Sequence, residues 1–251
     1  MIKLIISGCN GKMGGVVTRI ASEDDLTEVV AGFDINTENK YGYDVFANPE
    51  EFTERADVII DFSHPLMLEK TLAYAVKSKT PIVVATTGLD DNQKKAMIEA
   101  SKVVPVFFSA NMSVGVNLMI ELAQKAAKAL EQKFDIEIIE KHHHRKIDAP
   151  SGTALAIADA VNEVLDVKKD YVYDRQSVRN KRSFTELGIH SVRGGTIVGE
   201  HELIFAGEDE IIEIKHTAMS RDIFAQGAVT AAKYICGKDA GFYDMKKMLS
   251  E

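Results

Sequence analysis

Residues 2–17 read Ile2-Lys3-Leu4-Ile5-Ile6-Ser7-Gly8-Cys9-Asn10-Gly11-Lys12-Met13-Gly14-Gly15-Val16-Val17. The apolar run has the length of one strand and a glycine-rich turn follows it. Met13, Val16, Val17 and Ile20 then recur at i, i+3, i+4 and i+7, the stripe of a helix packed on a sheet. Strand, turn and helix in this order are the setting that a dinucleotide fingerprint requires. Glycine lets the backbone approach a pyrophosphate closely, and the unpaired N–H groups at the helix start point at it. Asn10 stands where the usual GxGxxG has its middle glycine; asparagine tolerates left-handed backbone but crowds the phosphate slightly more. A tight turn that holds no ligand is the competing reading of these residues alone.

The same texture runs to about residue 112. Short apolar runs at 3–7, 28–34, 58–61, 82–85 and 106–109 alternate with helical segments, among them 66–79, which Pro81 stops. This is the pattern of βαβ units and a parallel sheet, and it predicts an α/β protein whose N-terminal domain is Rossmann-type. Asp34 ends the second run, 20 positions beyond Gly14, where a carboxylate can accept hydrogen bonds from an adenine-ribose diol. Such a carboxylate repels a 2′-phosphate, and Ile35 and Asn36 bring no arginine to offset it. The pattern therefore favours NADH over NADPH, although Lys40 lies close enough in sequence to swing in.

Ligands in open parallel sheets collect at the carboxyl ends of the strands. Three further strand ends carry polar or small residues: Asp61-Phe62-Ser63-His64-Pro65, Ala85-Thr86-Thr87-Gly88 and Ser109-Ala110-Asn111-Met112-Ser113. Each alone reads as an ordinary turn; together with the first they predict a nicotinamide-nucleotide site. The predicted cofactor contacts are Gly8, Cys9, Asn10, Gly11, Lys12 and Met13 in the first turn and Asp34 and Phe62 beyond it. Ala85, Thr86 and Thr87 add to them, as do Ser109, Ala110, Asn111 and Met112.

After Asn111 the pattern changes. A helical segment at 114–130 leads into an alternating strand at 134–140, and further strands fit 189–193, 196–205 and 210–216 with Gly194-Gly195 and Gly207-Glu208-Asp209-Glu210 as turns. Consecutive strands without intervening helices predict a second domain, α+β with a mixed or antiparallel sheet, at 114–216. The last helical stretch, 224–234, is rich in small residues and too short to stand alone. It is expected to return to the first domain, which then comprises 1–113 plus 217–251.

The densest chemistry lies at Glu140-Lys141-His142-His143-His144-Arg145-Lys146-Ile147-Asp148-Ala149-Pro150-Ser151-Gly152-Thr153-Ala154-Leu155. Six basic or imidazole residues at 141–146 build a local positive field suited to a small dicarboxylate. Ser151, Gly152 and Thr153 offer a cap hydroxyl and free N–H groups at the start of a new helix, which attracts an oxyanion. Histidine titrates near neutrality and lysine can protonate a developing carbanion or nitrogen, so general-acid work is available beside the anchoring charges. A solvated basic loop is the plain alternative. Zinc is a poorer one, because adjacent histidines on extended backbone point in different directions and no Cys/His pair at a familiar spacing accompanies them.

The 251 residues carry 30 Lys+Arg against 38 Asp+Glu, a net charge of −8 with 45% apolar content, so whole-molecule charge gives no reason to expect nucleic-acid or anionic-membrane binding. Cys9 and Cys236 cannot build a disulfide framework, which fits a reducing compartment. The apolar start is too short for a signal-peptide core or a membrane span. A cytoplasmic location is expected.

Glu140–Leu155 closely resembles the signature of the 4-hydroxy-tetrahydrodipicolinate reductase family of bacterial lysine and diaminopimelate synthesis. The likeness extends over essentially the whole chain, through the Gly8–Gly14 turn, Ala85-Thr86-Thr87-Gly88, Ser109-Ala110-Asn111-Met112-Ser113-Val114-Gly115-Val116-Asn117 and His216-Thr217-Ala218-Met219-Ser220-Arg221. It implies a cytoplasmic homotetramer whose second domain supplies substrate contacts and the subunit interface. The implied reaction is delivery of hydride from NADH or NADPH to C4 of an unsaturated cyclic imine dicarboxylate, formed as the 4-hydroxyl leaves, with a proton added at C3. By the same resemblance His142 is the proton donor and acceptor and Lys146 the proton donor. His143 contacts one substrate carboxylate, Gly152 and Thr153 hold the other, and Arg193 and His201 support the pocket. Two departures are Ala85, where the family often has glycine, and Asp34-Ile35, which lacks the basic neighbour some members use for NADPH. Two rivals are another two-domain Rossmann dehydrogenase of a keto or imino acid, and an NAD(H) sensor without turnover, against which the histidine–lysine cluster argues.

Overall fold

A computed structural model describes residues 1–131 and 133–251. In chain order the elements are β1 (Ile2–Ser7), α1 (Lys12–Glu23), β2 (Thr27–Phe33), β3 (Asp44–Phe46), β4 (Val58–Asp61), α2 (Pro65–Ser78), β5 (Ile82–Val84), α3 (Asp91–Ala100) and β6 (Pro105–Phe108). They continue with α4 (Val114–Leu130), β7 (Asp135–His142), α5 (Gly152–Val164), β8 (Asp170–Val172), β9 (Glu186–Arg193), β10 (Gly199–Ala206) and β11 (Ile211–Ala218). The chain ends in α6 (Asp222–Ile235), β12 (Gly241–Tyr243) and α7 (Met245–Ser250). Two compact units result, Met1–Val114 with Asp222–Glu251, and Gly115–Arg221. The second unit runs past residue 216 because β11 continues to Ala218.

The first unit holds a parallel sheet in the order β12-β6-β5-β4-β1-β2-β3. Reading outward from β1, the strand order reverses direction, the arrangement of a doubly wound nucleotide-binding sheet. Side chains alternate across it. Leu4, Ile6, Val58, Ile60, Val83 and Phe107 pack with Val17 and Ala21 of α1 and with Ala225, Ala228, Ala232 and Ile235 of α6. Ile5, Phe33, Ile59, Ile82, Val84 and Val106 pack with Leu68, Leu72 and Ala75 of α2 and Met97 and Ala100 of α3 on the other face. Small residues bring α6 close: a Cβ on Gly227 would overlap the Met112 carbonyl oxygen.

The second unit holds a mixed sheet in the order β11-β10-β7-β9-β8, antiparallel from β11 to β7 and parallel from β7 to β8. One face, with Ile136, Ile138, Leu187, Ile189, Leu203 and Phe205, is covered by Met119, Ala123 and Ala127 of α4 and Ile157, Ala158 and Val161 of α5.

Five of the strands and α-helices among the described residues lie outside the sequence reading. β3, β8 and β12 are three-residue strands at sheet edges, too short to show alternation. α3 is polar along most of its length, and only its capping box announces it: Asp90 accepts from the Gln93 amide at 2.8 Å and Gln93 accepts from the Asp90 amide at 3.0 Å. The fifth, α7, has only six residues. Among the described residues no helix is long and apolar enough to cross a membrane.

The close approach at Gly227 gives a direct test. Gly227→Ala, normally favourable inside a helix, is expected to destabilise the protein by about 1–3 kcal/mol through overpacking, read as a lower urea midpoint at unchanged slope. A midpoint equal to or above that of the wild type would contradict the packing.

Candidate active site

In the first unit the predicted turns gather at the carboxyl ends of β1, β4, β5 and β6. Gly11, Lys12, Met13, Phe62, Ala85, Thr86, Thr87, Ala110 and Met112 line one cavity of about 390 Å³, together with Ser63 and Phe224. The first turn is shaped by its glycines. Gly8 has φ +79° and a Cβ there would lie 2.7 Å from the Phe62 carbonyl oxygen. A side chain on Gly14 would overlap the Gly8 carbonyl oxygen. Gly11 caps α1 without a side-chain hydrogen bond, so the amides of the first helical turn are left to an incoming acceptor. These features fit a pyrophosphate.

The remaining predicted contacts sit around that cavity or beneath it. Cys9 is buried in the core, and burial pushes its thiol up to about 11, so only its backbone can serve a ligand. Asp34 accepts from the amides of Asn10 and Asn36, each at 3.0 Å, which leaves lone pairs on both oxygens. The Asn10 side-chain amide nitrogen donates to the carbonyls of Asn36 and Glu38, strapping the loop after β2 to the glycine turn, while its Oδ1 is buried and has no hydrogen-bond partner among the described residues. Ser109 donates to the Asn111 carbonyl at 2.7 Å and Asn111 Oδ1 accepts from the Ser113 amide at 2.9 Å, which shapes the last turn.

Asp61, absent from the predicted set, holds two of the turns together. It is fully buried at the end of β4 and accepts from the hydroxyls of Thr86 at 2.6 Å and Ser63 at 2.7 Å. Burial raises its carboxyl well above the ordinary range. The signal in the sequence was its place at the strand end that opens a turn already singled out.

In the second unit β7 places chemistry by simple alternation. Ile136, Ile138, Glu140 and His142 face inward, so the apolar row that packs on the helices ends in a carboxylate and an imidazole. Register sets His142 beside Arg193 on β9 and Glu140 beside His201 on β10. Glu140 is 0% exposed and accepts from Arg193 at 2.6 and 2.8 Å, from the Ser151 amide at 3.1 Å and from His142 Nδ1 at 2.6 Å. Burial pushes its carboxyl up, but the bonds from Arg193, Ser191 and His142 and the Arg193 charge outweigh that and hold it at about 2.

Arg193 also donates to the Asp148 carbonyl at 2.6 Å and so ties down the loop after His142. In that loop Lys146 lies 2.8 Å from Asp148, and its amide donates to the His143 carbonyl at 3.0 Å. Desolvation lowers the His143 pKa, with the charges of Arg145, Arg221 and Lys146 acting in the same direction. Ser151 caps α5 by accepting from the Ala154 amide at 3.2 Å. Gly152 and Thr153 open that helix, and nothing lies near a Cβ built on Gly152. Ser151 Oγ is 3.0 Å from His201 Nε2, and the His201 ring stands edge-on to His142 with centroids 5.2 Å apart. The loop therefore presents one imidazole fixed from behind, an ammonium and the amides of a helix start. Such a set can bind carboxylates and move a proton.

Comparison with known proteins places both halves. The family model described as dihydrodipicolinate reductase, N-terminus, matches residues 2–112, and the one described as dihydrodipicolinate reductase, C-terminus, matches residues 115–249. A 4-hydroxy-tetrahydrodipicolinate reductase of Caldanaerobacter subterraneus subsp. tengcongensis is 52% identical over 251 residues, covering 100% of this chain and 99% of that protein. One of Clostridium tetani is 44% identical over 250 residues, covering 100% and 98%. Among solved structures, a dipicolinate-bound dihydrodipicolinate reductase from Paenisporosarcina sp. TG-14 matches with a TM-score of 0.84 at 26% identity, covering 97% of each chain. A probable dehydrogenase from Thermotoga maritima, at 11% identity and a TM-score of 0.65, shares the fold.

The buried imidazole of His201 yields a stability prediction. Burial first, then the neighbouring His142, lowers its pKa to about 4 from 6.5. Between those values the unfolded chain binds a proton that the folded chain refuses, so the contribution present above pH 6.5 is lost as the pH falls toward 4. His201→Gln is expected to flatten the fall in unfolding free energy across that window by on the order of 2 kcal/mol. Denaturant titrations at several pH values would show it, and parallel slopes for the two proteins would refute it.

Proposed function

Because the chain belongs to the dihydrodipicolinate reductase family, we propose that it catalyses the NAD(P)H-dependent reduction of 4-hydroxy-tetrahydrodipicolinate to tetrahydrodipicolinate with loss of water, a step of diaminopimelate and lysine synthesis. The observation that carries this reading is the His142–Thr153 segment: imidazole, ammonium and helix-start amides concentrated in a protein of net charge −8. A sensor without turnover has no use for that set, and full-length identity of 52% to a reductase of this name does not favour another keto or imino acid.

The glycine turn, with the amides at the start of α1, holds the pyrophosphate of the cofactor, and the cavity beside Phe62, Thr86, Thr87 and Met112 takes its nicotinamide end. A reduced nicotinamide bound there would supply hydride for C4 of the ring. His143 meets one ring carboxylate, while the Gly152 and Thr153 amides with the Thr153 hydroxyl hold the other, which fixes the ring's orientation. His142 takes the proton lost from C3 in the elimination and passes it to the departing 4-hydroxyl, which leaves as water, and Lys146 donates the proton added at C3 in the reduction. The positive charges of the loop stabilise the negative charge that develops on the ring during transfer.

NADH is the preferred coenzyme. Asp34 is placed to meet the ribose diol and repel a 2′-phosphate, and Lys40 is drawn off by Glu38 at 3.4 Å. The protein works as a cytoplasmic homotetramer. A reducing compartment suits two free cysteines. The sheet face of the second unit away from α4 and α5 carries Ile139 with the ion pairs of Glu200 to Lys141 at 3.3 Å and Lys215 at 3.1 Å, a surface fit for self-association.

Following NADH oxidation with freshly generated substrate, His142→Ala and Lys146→Ala are each expected to lower kcat by about 10²-fold or more. Near-normal turnover in both would remove them from the chemistry. In fluorescence titrations NADH is expected to bind more tightly than NADPH, and a strong preference for NADPH would overturn the role given to Asp34.

A further inference from the structure

Resting on the reading above, we propose that Glu140 is a positioning residue for the reduction: it fixes the tautomer and orientation of His142 and ties that imidazole to the start of the carboxylate-binding helix. The argument begins with lone pairs. A carboxylate offers four acceptor sites, two on each oxygen. Oε1 accepts from Arg193 and from the Ser151 amide, and Oε2 accepts from Arg193 and from His142 Nδ1, so each oxygen is held by at least two donors with no access to water. A counterion for Arg193 alone would need only two of the four sites.

The other two bonds give the network its direction. An ionised carboxylate accepts and cannot donate, so the proton in the 2.6 Å contact belongs to His142 Nδ1. Neutral His142 therefore carries its free lone pair on Nε2, the ring atom facing away from Glu140. Room at that atom is kept by Gly199, where an added Cβ would stand 3.1 Å from Nε2. Oε1 also takes the amide of Ser151, the cap of α5. One buried group thus sets the imidazole and the helix start at a fixed separation, and Arg193 supplies the charge that keeps it ionised.

Glu140→Gln keeps the size and one acceptor oxygen but replaces the other oxygen with a donor. Where that NH2 group faces His142, the ring must move its proton to Nε2. Three readouts are taken on the full-length protein. In ¹⁵N spectra of histidine-labelled enzyme at a pH where the ring is neutral, wild-type His142 is expected to be protonated on Nδ1 and the variant largely on Nε2. The variant is expected to lose about 10²-fold in kcat with KM changed less than threefold, and to bind the probe dipicolinate as the wild type does. Added to His142→Ala, Glu140→Gln is expected to change kcat less than threefold, because it acts through the imidazole that is gone.

Equal losses in both backgrounds, an unchanged tautomer, or a variant within threefold of wild-type kcat would each overturn the proposal. Should the variant fail to fold, the wild-type spectrum decides, since a neutral His142 protonated on Nε2 is incompatible with it. If His142→Ala itself turns over within threefold of wild type, the reading of the reaction falls and the proposal with it. That result is distinguishable because the tautomer of wild-type His142 would still report the Glu140 contact.

Discussion

A carboxylate shut away from water has to be neutralised where it lies, and in this protein that requirement organises the second unit. Glu140 falls on the inward row of β7 behind Ile136 and Ile138, where an unpaired charge would cost several kcal/mol. Meeting that cost takes a guanidinium from β9, an amide from the start of α5 and a ring nitrogen from its own strand. Two strands and a helix are thereby brought to one register at the end of the sheet. His142 and the Ser151 amide at the start of α5 are the outer partners of that buried charge. The fixed placement of His142 and of the start of α5 follows from the intolerance of the interior to a misplaced ion.

The first unit solves its positioning problem by subtraction. Around the glycine turn, close approach is possible only because side chains are missing at Gly8 and Gly14, and the helix amides are left without a capping hydroxyl at Gly11. Asp61 is the counterpart of Glu140 in that half, buried and hydrogen-bonded, but its partners are hydroxyls rather than a guanidinium. The two carboxyls therefore move in opposite directions, Asp61 above its ordinary range and Glu140 below.

Much of this was legible in the residues, and the parts that were not share a physical reason. Periodicity located the central strands because each is buried on both faces and reads as an unbroken apolar run. It passed over the edge strands β3, β8 and β12, which bury too little to leave a pattern. The cavity-lining turns were found because strand ends in a parallel sheet converge whatever their exact order. Phe224 was not, since which residues meet across a sheet edge depends on packing between distant segments. Glu140 shows the limit most sharply. Its parity with Phe134, Ile136 and Ile138 was visible, yet a charge at a strand end ordinarily reaches solvent, and the partner that holds it inside lies 53 residues away.

The first unit is assembled from the two ends of the chain, with α6 and β12 added after the whole of the second unit. On a ribosome, every contact within Gly115–Arg221 becomes available once that segment has emerged, while Leu4, Ile60 and Phe107 wait for the alanine-rich face of α6. The second unit can therefore mature while the first still exposes one side of its sheet. A nascent chain stalled before residue 222 would present an aggregation-prone apolar surface to chaperones.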